Sequence, residues 1–322
     1  MKLIFAGTPA NAARTLEALL QGPHQVVAVL TRPDAPVGRK RVLTASPTAV
    51  VAEAAGIPIF KANRVDEALA AELAETGAKL GVIVAYGALL KNFALKALPL
   101  GWVNLHYSLL PDWRGAAPVQ NAILAGDTDT GVTLFQLDSG MDTGEVFDVV
   151  RTTIQPGETS GRLLQRLTEL GITLLDQVLP LIEAGLARPR PQDPSGPIRP
   201  ANKLTRDDAR INWQEPANQV ERQILAMNPE PMAFTTMGED SLRILDAASL
   251  GKTDWSALQT ESTASEPGEN LAGALIFESK RVLVRCGQGT LLQLKTVQPA
   301  GKNAMPALDW ARGANGKVTT LG

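Results

Sequence analysis

Asn104 and His106 stand two residues apart at the end of an apolar run, Val103-Asn-Leu-His, and His106 is one of only two histidines in the chain. In an extended segment such residues point to the same side, so an amide and an imidazole face one way. Asp142 lies in a second polar loop, Ser-Gly-Met-Asp-Thr-Gly, between the apolar runs 132–137 and 146–150. A carboxylate there could hold the imidazole in one tautomer and favour its protonated form. The pattern points to acid–base work. A lone histidine in a loop is more often a solvated or hydrogen-bonded structural residue, and only the carboxylate and the amide lift His106 above that reading.

The elements that must position these residues are legible around them. The stretch from Val103 to Pro118 begins as a strand, turns at Ser108 to Pro111, and leads through Trp113-Arg114-Gly115 to a helix over Val119 to Leu124. Polar groups at the carboxyl end of a strand sit where open α/β sheets bind ligands. Upstream, Leu3 to Ala6 reads as a buried strand, Gly7-Thr8-Pro9 as a turn with Pro opening a helix, and Gln25 to Leu30 as a returning strand. Gly7 is not followed by Gly-x-Gly-x-x-Gly, which argues against a dinucleotide cradle. His24 reads as a surface loop residue. Arg32 to Ser46 reads as a Pro- and Gly-punctuated loop carrying Arg39, Lys40 and Arg41, for which a solvated charged loop is the plain alternative to a binding element. Further alternation at Pro47 to Ala55, Ile57 to Phe60, Leu69 to Leu73 and Leu80 to Ala85 implies a doubly wound, mostly parallel α/β sheet. Tyr86-Gly87 would end a strand facing the crevice of Asn104. Leu163, Leu167, Leu170, Leu174 and Val178 recur at helical spacing and would close this domain.

These residues carry a resemblance. Asn-x-His-x-Ser-Leu-Leu-Pro (104–111), Trp-Arg-Gly-Ala-Ala-Pro (113–118), Gly-Val-Thr (131–133) and Met-Asp-Thr-Gly (141–144) resemble the formyltetrahydrofolate-dependent formyltransferases. Phe5 to Pro9, Val84 to Gly87, Lys203-Leu204, Asn228-Pro229 and Gln298 to Lys302 extend the likeness over nearly the full length and point to the tRNA-directed branch. The resemblance implies a Rossmann-like catalytic domain, a smaller OB-like β-barrel domain, 10-formyltetrahydrofolate as cosubstrate without a metal, and initiator methionyl-tRNA as acceptor. It assigns Asn104, His106 and Asp142 to catalysis, with His106 mainly protonated beside a developing oxyanion to which Asn104 also donates. It assigns Ser108, Leu109, Leu110, Pro111, Tyr86 and Gly87 to the folate pocket, and Arg39, Lys40, Arg41, Lys203 and Lys302 to tRNA. Departures from the family pattern lie at Ala10 to Ala13, at Tyr107 and at Glu230.

Composition sets the outer limits. A chain of 322 residues favours two domains as a soft prior. Five prolines between Pro189 and Pro200 suggest a semi-rigid extended spacer, dividing a catalytic domain (1–188) from a basic linker (189–206) and a mostly β domain (207–322). In the last part, strands are expected at 233–236, 242–246, 274–277, 281–286 and 291–297, a helix at 217–225, and an exposed loop at 251–273. The net charge of −2 opposes general nucleic-acid coating, but seven Lys or Arg against Asp309 alone between Lys280 and Lys317 make a local basic patch suited to a selective polyanion site. One cysteine, Cys286, excludes an internal disulfide framework and any multi-cysteine zinc site, and its strand-like flanks predict a buried, inert thiol. No run approaches a membrane span and no cleavable leader is visible, so a cytoplasmic monomer is expected. Three other readings share parts of the pattern. They are a formyltransferase acting on an amino sugar or glycinamide ribonucleotide, a folate hydrolase or dehydrogenase fragment, and a tRNA-binding module without activity.

Overall fold

The computed structural model describes residues 1–38, 40–193, 195, 198–250, 272–314 and 318–322. Arg39, Lys317 and nearly all of the segment read as an exposed loop (251–271) lie outside the described residues.

The first half alternates strands and helices. These are β1 (Lys2–Gly7), α1 (Ala10–Gln21), β2 (Gln25–Thr31), β3 (Ala35–Val37), β4 (Val42–Thr44), α2 (Pro47–Ala54), β5 (Ile59–Lys61), α3 (Glu67–Glu75), β6 (Leu80–Val84), α4 (Asn92–Leu95), β7 (Trp102–His106), β8 (Arg114–Gly115), α5 (Pro118–Ala125), β9 (Asp129–Gln136), β10 (Val146–Thr153) and α6 (Ser160–Glu183). A short β11 (Pro200–Ala201) follows. Seven strands form one sheet in the order β10-β9-β7-β6-β1-β2-β5, parallel from β7 to β5 and antiparallel where β9 joins β7 and β10 joins β9. The parallel strands read as continuous apolar runs because both their faces are covered. The order reverses at β1 and β6, so β7 ends beside a switch point of the sheet, where crevices form in open α/β folds.

The charged loop from Arg32 to Ser46 is in fact a small antiparallel hairpin, with Ala35 opposite Thr44 and Val37 opposite Val42. Its base is tied by the buried pair Thr31 Oγ1 and Ser46 Oγ at 2.7 Å. Three-residue strands with exposed Val37, Val42 and Leu43 are too short for periodicity to reveal. His24 is likewise not at the surface. Its ring is buried, with Nδ1 3.2 Å from the Met1 amine and 3.5 Å from Glu183 Oε2.

The later part contains α7 (Ala217–Ala226), β12 (Phe234–Met237), β13 (Asp240–Ser249), β14 (Leu275–Phe277), β15 (Val282–Arg285), β16 (Leu291–Pro299), β17 (Met305–Pro306) and α8 (Ala307–Ala314). The strands form an antiparallel half-barrel sheet, β12-β13-β16-β15-β14 with β17 also on β16. Its core gathers Trp213, Ile224, Leu242, Val284, Leu294 and Trp310. Cys286 belongs to this core, and burial pushes its thiol up to about 12, as an inert thiol requires.

By its contacts the chain forms two compact units that do not follow chain order. The first takes residues Met1–Pro118, Asp129–Thr153 and Leu164–Asn202, and the second takes Val119–Thr128, Ile154–Leu163 and Lys203–Gly322. Within the second unit, Leu124 packs on the sheet core, and Ser160 Oγ and Gly161 N both donate to Asn228 O at 2.8 and 3.1 Å.

Trp102 opens β7 fully buried, with its indole donating to Ala94 O at 2.9 Å, opposite Gly81 of β6. A Cβ at Gly81 would stand 1.9 Å from Trp102 Cε3. Gly81→Ala must therefore displace a core indole at the root of the site strand. Overpacking of this kind typically costs about 1 to 3 kcal/mol, occasionally more; we expect the upper end of that range, read as a lower urea midpoint with an unchanged slope.

Candidate active site

β7 delivers Asn104 and His106 to the same side, while Leu105 turns to α6, where Gly171 leaves room for it. Tyr107 points away from His106 and is buried toward Thr15 of α1 and Thr168 of α6, with its phenol pKa raised by burial. Its bulk is accommodated in the helix layer on the opposite side from the site. The loop after β7 is fixed by Thr133 of β9, whose hydroxyl donates to Ser108 O at 2.7 Å and accepts from Leu110 N at 3.2 Å. Ser108 is buried and donates to Asp112 O at 2.7 Å. A buried threonine directly across from His106 in the strand register is a supporting residue that the sequence reading passed over, because a threonine inside Gly-Val-Thr looks like ordinary strand composition.

His106 is 6% exposed, and both ring nitrogens face oxygen. Nε2 donates to Trp113 O at 2.9 Å, and Nδ1 is 3.8 Å from Asp142 Oδ2. The edge of the ring meets Phe135 at a centroid distance of 6.4 Å. The Nδ1 separation is beyond hydrogen-bond reach, so Asp142 acts on the ring through charge in this state. The carboxylate is itself held by Gly115 N, which donates to Oδ2 at 2.8 Å. Burial lowers the His106 pKa; the Asp142 charge and the Trp113 carbonyl oppose the drop without cancelling it. The lowered pKa favours the neutral ring, in contrast to the mainly protonated imidazole that the resemblance implies. Desolvation outweighs one carboxylate at this distance. Asn104 is half-buried, and its side-chain amide has no hydrogen-bond partner among the described residues.

The predicted site residues fall into three groups. Asn104, His106 and Asp142 come together with Ser108 to Pro111 at the end of β7. Leu109, Leu110 and Pro111 are half-buried apolar groups beside the trio. Tyr86 is different, because its ring lies in the core and its phenol donates to Ala62 O at 2.8 Å; only its carbonyl, which accepts from Thr8 Oγ1, and the exposed Gly87 look outward. Lys40 and Arg41 are exposed at the β3–β4 hairpin, while Lys203 and Lys302 are exposed in the second unit. Lys302 lines a cavity of about 600 Å³ together with Arg206, Arg243, Phe234 and Glu230. Arg243 escaped the sequence reading because it lies outside the basic runs.

The segment after α6 was expected to be a spacer, yet it is bound along the site. Arg190 and Val146 exchange backbone hydrogen bonds at 2.7 and 2.9 Å, and β11 pairs in parallel with β8. Gly115, at φ +125°, makes that pairing possible, since a Cβ there would meet Ala201 O at 2.6 Å. Arg199 pairs with Asp112 and lies over the Trp113 ring at 4.2 Å. Burial alone would raise the Asp112 carboxyl, but hydrogen bonds and charge from Arg199 hold it below the usual carboxylate range.

A strand-end amide, imidazole and carboxylate on this sheet define a class. The chain matches the Formyl transferase family over residues 1–179 and the Formyl transferase C-terminal domain over residues 203–315, and it belongs to that family. At finer grain, it is 47% identical over 313 residues to the methionyl-tRNA formyltransferase of Arthrobacter sp. (strain FB24), covering 97% of each chain. It is 46% identical over 318 residues to the methionyl-tRNA formyltransferase of Acidothermus cellulolyticus, covering 98% of this chain and 97% of that one. Among solved structures, it shares the fold of an N-formyltransferase from Helicobacter canadensis in complex with folinic acid and dTDP-3-aminofucose, with a TM-score of 0.62 and 18% identity over 91% of this chain and 98% of that one. It also shares the fold of HypX from Aquifex aeolicus in complex with tetrahydrofolic acid, with a TM-score of 0.62 and 16% identity over 97% of this chain and 47% of that one.

Asp142→Asn removes the charge that opposes the drop in the His106 pKa. The His106 titration should then move to still lower pH, while His24 stays in place. With two histidines in the chain, a proton NMR titration of the imidazole signals separates the two directly.

Proposed function

We propose that this chain transfers the formyl group of 10-formyltetrahydrofolate to the free amino group of the methionyl moiety on initiator methionyl-tRNA. The observation that carries the chemistry is the unengaged amide of Asn104 beside a buried imidazole and carboxylate, a set of groups suited to a carbonyl oxygen that gains charge. The acceptor is supported by similarity that runs through both halves of the chain to the methionyl-tRNA formyltransferases. Identity of 46 to 47% to those relatives, against 18% to the N-formyltransferase solved with dTDP-3-aminofucose, favours it over an amino-sugar acceptor.

The residues fit a folate cosubstrate. Leu109, Leu110 and Pro111 offer half-buried apolar contact next to the trio, Ser108 shapes their turn, and Tyr86 and Gly87 present backbone on the adjoining strand end. The cosubstrate supplies the formyl carbon; the chain orients it and handles charge and protons. As the amine attacks, the C–N bond forms and the carbonyl electrons move to oxygen, where Asn104 donates a hydrogen bond. The amine must lose a proton, and a resting neutral His106 can accept it at Nδ1, the nitrogen turned to Asp142. The carboxylate then stabilises the imidazolium, and the proton passes to the folate nitrogen as its bond to the formyl carbon breaks. The gap of 3.8 Å would close in the complex, as catalytic hydrogen bonds often tighten there. No covalent enzyme intermediate is required, and Cys286 is buried away in the other unit.

For the tRNA we assign Arg39 from the sequence, Lys40 and Arg41 at the hairpin, Lys203, and Lys302 with its neighbours Arg206 and Arg243 around the cavity. A charged tRNA as acceptor sets the place of work in the cytoplasm. No described helix is long and apolar enough to cross a membrane.

Asn104→Ala should lower the rate of formyl transfer to charged initiator tRNA by on the order of 10² to 10³, the usual loss for one donor at an oxyanion, and His106→Ala by on the order of 10² to 10⁴, the usual contribution of a positioned proton acceptor. The assay should offer charged initiator tRNA, charged elongator tRNA and a free amino sugar in parallel. Turnover of His106→Ala near that of the parent would sink the mechanism, and preference for the sugar would sink the acceptor.

Arg39→Ala and Lys302→Ala should each flatten the dependence of log affinity on log salt by roughly 0.7 to 0.9, one phosphate contact apiece. An unchanged slope for either returns that residue to a solvated surface charge.

A further inference from the structure

Gln192 stands where both loops of the site and the segment after α6 meet. Its Nε2 donates to Asp142 O and Gly144 O, each at 2.8 Å, and its Oε1 accepts from Arg114 at 2.6 and 3.2 Å. Both N–H groups and both lone pairs of the amide are thus used, the full capacity of a glutamine side chain. The bonds close a circuit, since Arg114 is followed by Gly115, whose N–H holds Asp142 Oδ2. Asp142 itself sits at φ +54°, a left-handed conformation that aspartate tolerates better than most non-glycine residues but that still costs some backbone energy. Without Gln192 the Asp142 loop would keep the Gly115 bond and the Val146–Arg190 pairing, but nothing would tie its backbone at residue 142 to the loop that follows His106.

We propose that Gln192 is a positioning residue for the reaction, which holds the Asp142 carboxylate at its station against His106 by bridging the two loops through its amide. The proposal rests on the formyl-transfer reading above. It touches neither substrate nor reacting atoms; it acts through Asp142. A carboxylate in its place could still accept from Arg114 but would set a negative charge against two carbonyl oxygens, whereas a methionine of similar length would offer neither donors nor a strong acceptor.

The test uses the full-length chain with Gln192→Glu and Gln192→Met, their thermal midpoints as folding controls. In Gln192→Met the Asp142 loop loosens, so the charge facing His106 recedes. The imidazole, with Asp142 as its charged neighbour and the Trp113 carbonyl and Phe135 as uncharged ones, should titrate at lower pH than in the parent, while His24 serves as the internal reference. The single-turnover rate should fall about 10- to 100-fold in both variants, as expected when a group supporting the reacting residues is displaced. The KM for the folate donor should change little. A folded variant with an unmoved His106 titration and a parental rate overturns the proposal, and so does a loss of stability alone. His106→Ala run in the same assay keeps the two levels apart. If it retains turnover, the formyl-transfer reading fails, whereas if it is dead while Gln192→Met is unaffected, only the role of Gln192 fails.

Discussion

A carboxylate can influence a buried imidazole only while the two are prevented from drifting apart, and in this protein no element of the main sheet and no helix carries Asp142 itself. His106 ends β7 and is as fixed as the sheet, but Asp142 lies in a loop in a left-handed conformation. The restraint comes from a third piece of chain, residues 190–201, which pairs with the Asp142 loop through Arg190 and with the post-β7 loop through β11. Much else follows from this. Gly115 must be a glycine because β11 runs against it, and Asp112 has Arg199 as its partner because the same segment passes beside it. The cation of Arg199 over Trp113 also fixes the residue whose carbonyl engages the His106 ring.

The electrostatics of the site balance desolvation against one charge. Removing the imidazole from water disfavours its charged form, and Asp142 at 3.8 Å returns only part of the loss. The sign has a consequence for stability. Because the folded-state pKa of His106 lies below its unfolded value, the unfolded chain binds a proton that the folded chain refuses once the pH drops below the ordinary histidine range. His106 thus destabilises the fold in mild acid and is neutral in this respect above that range. His24 acts in the same direction, since burial, with the neighbouring amine, also lowers its pKa. A ring that rests neutral but sits against a carboxylate is suited to take up a proton transiently.

The fold was largely legible because its signals are local. Apolar runs punctuated by Gly and Pro mark the parallel strands, and the spacing from Leu163 onward marks α6, where Leu163, Leu167, Leu174 and Val178 are buried and Leu170 is half-buried. Asn104 and His106 were legible for a related reason, since a period of two in a strand is enough to align them. What escaped depends on distance in sequence. Gln192 lies 50 residues from Asp142 and 78 from Arg114, and no pattern around it separates it from the other polar residues of a Pro-rich stretch. The hairpin at 35–44 escaped through shortness, and His24 through its flanking Pro23, which reads as a surface turn although the ring folds inward. Tyr86 shows the opposite failure, where a residue correctly placed at a strand end directs its side chain into the core.

Net charge was the weakest guide of all. A value of −2 describes the chain as a whole, while recognition of a polyanion depends on which cations converge. Around the cavity of the second unit, Arg206 comes from the segment before α7, Arg243 from β13 and Lys302 from the turn after β16. Arg206 stacks over Phe234, and Arg243 is steadied by Gln298, whose amide also holds the Lys302 carbonyl. Two of the three cations, Arg206 and Arg243, rest on neutral partners, so no carboxylate neutralises them in those contacts. Glu230 at the same rim sets a limit on how closely phosphate can approach that side. If the proposed tRNA assignment holds, a slightly acidic protein with such a groove would disfavour polyanions generally and admit one that aligns its phosphates with the three cations, which is a requirement of shape as well as of charge.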